Sequence, residues 1–291
     1  MCGLIALAAV AREIAEPQRR GASARDRSEG TGVIAMWIAI AGALWLGEAA
    51  TLGVFMVLSI GLLALFLASP RNHGGGTWPQ LACCFACVPV QYAAIATGRV
   101  EDFVVLVPLS AALAIPMWGL LHGETRAVVE RSSNRWWGVM LWVYGLSHVP
   151  ALGTLRPRST DAYDSGIVAF VVVLALVARF AWWLTSRTPA AANRMPTGMS
   201  KLRSGGTCML AVPVAGWLLR DVTPFGAPEA LALAALIAIA AGLGCIVVDA
   251  VRREGAHREL RSPLGDVLDP GALALAAPLV FHAVRAWTLL S

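Results

Sequence analysis

Apolar positions along this chain fall in long unbroken stretches, not in the alternation of a half-buried strand or the one-sided stripe of a surface helix. The stretches cover 33–47, 49–68, 81–97, 103–121, 136–154, 166–184, 207–219, 230–248 and 271–290, and are nearly free of charge. About 20 apolar residues in helical form cross roughly 30 Å of hydrocarbon, and an open backbone there must satisfy its own hydrogen bonds, which an α-helix does. The pattern predicts an all-α, polytopic integral membrane bundle of about nine transmembrane helices, with 207–219 the shortest candidate. The organisation expected is an N-terminal stub and cytoplasmic segment over 1–32, a first set of transmembrane helices over 33–154, and a second transmembrane region over 155–291. The apolar run Cys2 to Ala11 has its basic residues after it, the wrong flank for a signal peptide. It reads as a tenth helix or as an interfacial stub.

Composition excludes a water-soluble domain, since 57% of residues are hydrophobic and only 14% charged. Charge also orients the chain. If the segment before residue 33 is cytoplasmic and nine spans follow, the inside loops hold 17 Lys and Arg and the outside loops four, the asymmetry that the positive-inside rule requires. Trp136-Trp137 and Trp182-Trp183 then stand at the cytoplasmic ends of their spans, as interfacial aromatics do. The net charge of +5 is divided among loops with no long basic run, so it marks a membrane face and gives no sign of a nucleic-acid partner.

Two inside loops are richest in candidate chemistry. The loop 185–206 carries Arg187, Arg194, Lys201 and Arg203 without an acid, and 249–270 carries Arg252, Arg253, Arg258 and Arg261. Such cations neutralise nucleotide or lipid phosphates, or they simply enforce topology. The second loop also holds Glu259, Asp266 and Asp269, a set suited to Mg2+, which takes one or two carboxylates and fills its other positions with water and phosphate. A solvated loop has the same composition. Inside the spans the polar outliers are Gln91, His148, Arg179, His282 and Arg285. An ionisable group there faces the bundle interior and is a functional candidate. Arg179 is near enough to its span end to snorkel to the interface, and His148 is placed to pair with a neighbouring carbonyl. Cys83, Cys84 and Cys87 lie inside an apolar stretch and read as small core residues. His73-Gly74-Gly75-Gly76 has no Gly-x-Ser-x-Gly partner, and the chain has neither a P-loop nor a dinucleotide fingerprint.

The C-terminal third places a span over 230–248, then Arg252-Arg253, Ala256-His257-Arg258-Glu259, Gly265-Asp266-Val267-Leu268-Asp269, and Leu273 to Ala276-Ala277-Pro278. In order, polarity and spacing this resembles the phosphatidate cytidylyltransferases, or CDP-diacylglycerol synthases. The central run Gly123-Glu124-Thr125-Arg126, Val129-Glu130-Arg131, Trp137 to Leu141 and Tyr144-Gly145-Leu146-Ser147-His148-Val149-Pro150-Ala151-Leu152 is similar to one bacterial branch of that family. The likeness extends from about residue 33 to the C-terminus.

The resemblance implies an inner-membrane enzyme of phospholipid biosynthesis with its site loops on the cytoplasmic side. It would transfer CMP from CTP to phosphatidate, giving CDP-diacylglycerol and pyrophosphate. It further implies Asp266 and Asp269 as catalytic residues, Arg252, Arg253, Arg258, Lys201 and Arg203 on substrate phosphates, Glu259 with Asp269 on Mg2+, and a homodimer. The chain departs from the family where Ala178-Arg179 stands in place of an acid-bearing pair and Ser186-Arg187 in place of a Gly-Arg, where Met199 to Gly206 lacks an acid, and where the loop before Asp269 is shortened. These departures carry the alternative of a catalytically inactive relative that binds lipid or a partner enzyme.

Overall fold

The computed structural model describes residues 22–68, 78–121, 128–155, 164–186, 197–254 and 270–290. Among them every regular element is helical. The helices are α1 (Ala22–Leu46), α2 (Glu48–Leu67), α3 (Trp78–Ala96) and α4 (Val100–Leu121), then α5 (Val128–Val139), a π-helix (Met140–Gly145) and α6 (Leu146–Leu152) in one continuous rod. After it come α7 (Ser165–Ser186), α8 (Thr197–Leu218), a short 3-10 turn (Arg220–Val222), α9 (Ala227–Glu254) and α10 (Gly271–Leu290).

Six of these helices are long and apolar enough to cross a membrane: α2, α3, α4, α7, α9 and α10. The protein is a helical membrane protein. In α1 the apolar part within the described residues is the shorter Ile34–Leu46, α8 begins with polar residues, and the fifth apolar stretch, 136–154, is divided by the π-helix of the broken rod. Helices begin earlier than the apolar pattern does, α1 at Ala22 and the broken rod at Val128. Ser, Arg, Glu and Asn at those ends extend the backbone hydrogen bonding without a Gly-Pro break, while the polar residues themselves leave no hydropathy signal.

Successive rods run in opposite directions. Gly216 on α8 meets Ala234 on α9, whereas Cys208, earlier on α8, clusters with Cys245, later on α9. In the same way Cys208 lies beside Ala178 and Arg203 beside Thr185, so α7 and α8 are antiparallel. The broken rod and α10 are parallel, with Gly145 at Ala274 and His148 at Phe281. A Cβ on Gly145 would overlap the carbonyl oxygen of Ala274, so this residue lets two backbones touch. Close approach through a missing side chain is how helices gain contact area in a bilayer, where lipid is as apolar as leucine.

One large apolar core runs from Met36 on α1 to Val284 on α10 and includes Phe55, Phe103, Phe170 and Phe281. A second cluster of Ala181, Trp182, Cys208, Cys245 and Ala272 joins α7 to α10. Trp182 is thus packed inside the bundle and is not an interfacial anchor, while Trp137 is half exposed.

Candidate functional site

Two polar regions are built into this bundle. The first is the end where α7 finishes, α8 begins, α9 finishes and α10 begins. Lys201 lies in the second turn of α8, and Arg252 and Arg253 lie in the last turn of α9. Because α8 and α9 are antiparallel neighbours, these residues share one end of the molecule. Arg203 Nη2 donates to the Thr185 carbonyl oxygen at 2.9 Å, and Thr185 Oγ1 donates to Ser204 Oγ at 2.9 Å. The last carbonyls of a helix have no partner within it, so Arg203 supplies both a hydrogen bond and a positive charge to the negative end of α7. Glu259, Asp266, Asp269 and Arg258 lie outside the described residues, as does Arg187. Arg179 is only 4% exposed. It is buried within the bundle and does not reach out to the interface.

No described side chain at this end is a carboxylate, and among the described residues no group of three His, Cys, Asp or Glu is placed to hold a metal ion. Glu259, Asp266 and Asp269, the residues expected on Mg2+, lie outside the described residues.

The second region lies inside the spans, between α3 and the broken rod. Arg135, 2% exposed, donates through Nη1 to Gln80 Oε1. Farther along the same two rods Gln91 Nε2 donates to Ser147 Oγ at 3.2 Å, and Ser147 Oγ donates to the Tyr144 carbonyl oxygen at 2.8 Å. The ring of His148 is also on that carbonyl, Nδ1 to oxygen 2.6 Å. The carbonyl can only accept, so Nδ1 carries the proton and Nε2 is a bare acceptor. Nε2 has no partner among the described residues, and neither does Gln91 Oε1.

The π-helix makes this second crossing possible. Gln80 and Gln91 are eleven residues apart on α3, and eleven α-helical residues return to within about 20° of the starting face. Arg135 and Ser147 are twelve apart, which in a plain α-helix overshoots by about 120°. The i→i+5 turn over Met140–Gly145 takes up one residue, and Ser147 comes back to the side that Arg135 faces. Pro150 follows in α6 and cannot donate to the preceding turn.

Sequence reasoning named Gln91 and His148, and the pairing of His148 with a neighbouring carbonyl is found. It did not single out Gln80, Arg135 or Ser147 as candidates, nor the contact of Ser59 Oγ with Tyr92 Oη at 2.9 Å. Cys84 is in the apolar core, and Cys87 donates to the Cys83 carbonyl oxygen.

No protein-family model matches the chain, and no solved structure does. The chain is similar to the uncharacterized protein YnbB of Escherichia coli strain K12, with 26% identity over 210 residues that cover 68% of each chain.

Proposed function

We propose that this protein is a divergent phosphatidate cytidylyltransferase-like membrane protein, crossing the membrane nine times with the Lys201, Arg203, Arg252 and Arg253 end in the cytoplasm. The observation that carries the reading is the meeting of the two sequence stretches on which the resemblance rests. Tyr144 to Leu152 and Leu273 to Pro278 are more than 120 residues apart, yet Gly145 packs on Ala274. The alternating direction of successive rods and the 17 to four division of basic residues support the nine crossings and the orientation.

In such a reaction a phosphate oxygen of phosphatidate forms a bond to the α-phosphorus of CTP, the bond from that phosphorus to the bridging oxygen breaks, and pyrophosphate leaves. The protein's task is in-line positioning and neutralisation of charge. In this reading Arg252, Arg253 and Lys201 receive the substrate phosphates. Arg203 has a different role, because its guanidinium holds the end of α7.

A second reading, a relative that binds lipid or a partner enzyme without catalysis, is favoured by Arg179. A buried cation occupies the place of a family acid. Membranes containing the protein, given labelled CTP, magnesium and phosphatidate, separate the two. Label in the organic phase, lost in Arg253→Ala and Asp269→Ala, is the outcome for an enzyme. Incorporation no higher than in empty membranes, with lipid retained through mild detergent extraction, is the outcome for a binder.

A further inference from the structure

We propose that the furrow between α1 and α7 holds one acyl chain of a phospholipid with an amine head group, whose phosphate sits on Arg220 at the mouth. The furrow starts where α7 begins, at the opposite end of the bundle from Arg203, and the proposal does not rest on the cytidylyl-transfer reading. A groove of about 450 Å3 opens along the two helices. Its space comes from small side chains, Ala41 on α1 with Gly166 and Ala169 on α7, while Trp45 and Leu176 are among its apolar walls. Small residues ordinarily let membrane helices close on one another. Here they leave a gap, and Ala41 is exposed along it.

Length selects the occupant. On α7 the groove runs from Ser165, the first residue of the membrane-crossing part of that helix, to Leu176. Over that stretch the helix rises about 16 Å, half of the roughly 30 Å of hydrocarbon in a bilayer. That is the depth of a single leaflet, the reach of one acyl chain. A transmembrane helix from a second copy or another protein would lie along the full thickness, and no residue of α7 beyond Leu176 lines the groove.

Charge at the mouth selects the head group. The Val222 carbonyl abuts Gly166, so the turn Arg220–Val222 closes the end of the groove at which α7 starts. Within that turn Arg220 lies over the Trp217 ring, 4.9 Å from guanidinium carbon to centroid. Its Nε stands 3.4 Å from Asp221 Oδ1, with the two side chains 39% and 87% exposed. An ion pair so long and so exposed is weak, which leaves the guanidinium fork available to a phosphate. Asp221 is then beside the phosphate and can meet an ammonium group. Asp164 is already engaged, since its Oδ1 accepts from the backbone N–H groups of Gly166 at 2.9 Å and Ile167 at 3.2 Å. A cation and an exposed carboxylate side by side complement a zwitterionic head group such as that of phosphatidylethanolamine.

The test uses the full chain in maltoside micelles, which bring no phosphate, and a phosphatidylethanolamine with a diazirine on one acyl chain. Saturable labelling of α1 and α7 peptides is expected, competed by unlabelled phosphatidylethanolamine and about tenfold less well by a diacylglycerol of the same chains, which lacks the phosphate. In Arg220→Gln the two competitors should become equal. Ala169→Phe fills the groove and should abolish the saturable labelling while the unfolding midpoint stays that of the unaltered protein. The comparison of competitors needs no variant, so it decides the matter even where Ala169→Phe folds poorly. Equal competition by phospholipid and diacylglycerol in the unaltered protein, full labelling in a folded Ala169→Phe, or label spread evenly onto the lipid-facing α4 would each overturn the proposal. So would a dimer in the micelle with no label on α1 or α7, the result expected if a second copy covers the groove.

Discussion

Between α3 and the broken rod the bundle makes two polar crossings, and they differ in how they are closed. At Gln80 and Arg135 a buried guanidinium meets a carboxamide oxygen. Roughly 16 Å farther along the same rods, Gln91 reaches Ser147, and two acceptors, Gln91 Oε1 and His148 Nε2, are left without donors among the described residues. The first crossing has the character of a structural tie, in which a charge that is expensive in hydrocarbon is met by a hydrogen bond. The second keeps acceptor capacity that packing alone does not explain, and it directly follows a π-helix, an element frequent at functional sites. Burial is therefore a poor guide to role here, since all four side chains at the two crossings have little or no exposure. Completeness of pairing separates them.

The largest effect is expected from Gly145→Val, which drives a branched side chain into the Ala274 carbonyl and separates the broken rod from α10. A loss of about 3 kcal/mol or more should appear as a lowered unfolding midpoint in detergent, while Gly242→Ala, where a Cβ meets nothing within 4 Å, should leave the midpoint unchanged. Next is Gln80→Leu, which removes an acceptor from buried Arg135 and should cost about 2 to 3 kcal/mol. Removing Leu141 from the π-helix comes third. One residue fewer turns the bulge into an ordinary α-helical spacing, so Ser147 should still meet Gln91, at a cost of about 2 kcal/mol for the lost side-chain burial. Global unfolding on that deletion would contradict the register argument. Gln91→Leu should have the smallest effect, below about 1 kcal/mol, because it removes a hydrogen bond and an unsatisfied acceptor together. If Gln91→Leu proves more damaging than Gln80→Leu, the contrast between the crossings is wrong.

Much of this architecture was legible in hydropathy, because bilayer thickness imposes a length on every apolar stretch. Each of those stretches has a helix over it, but 33–47, 136–154 and 207–219 fall in helices outside the six spanning candidates among the described residues. Helix ends were not legible. Hydrogen bonding continues through Ala22 to Gly32 and through Val128 to Arg135, where the apolar signal has already stopped, and Gln80 and Arg135 consequently read as loop residues. The π-helix left no mark either, since a bulge is a matter of register between rods and Met140–Gly145 has an ordinary apolar composition. His148 and Gln91 stood out as polar residues in apolar surroundings, but Ser147 did not, because serine is common within spans. Arg179 looked free to snorkel from its place in sequence, and only the packing of α8 and α9 beside α7 shows it enclosed.

Incorporation of labelled CTP is the decisive measurement for the proposed nucleotide transfer to a lipid at the cationic end. With phosphatidate and magnesium supplied, membranes containing the protein should carry label into the organic phase, and Arg253→Ala should remove it. Organic-phase label equal to that of membranes without the protein would contradict the claim.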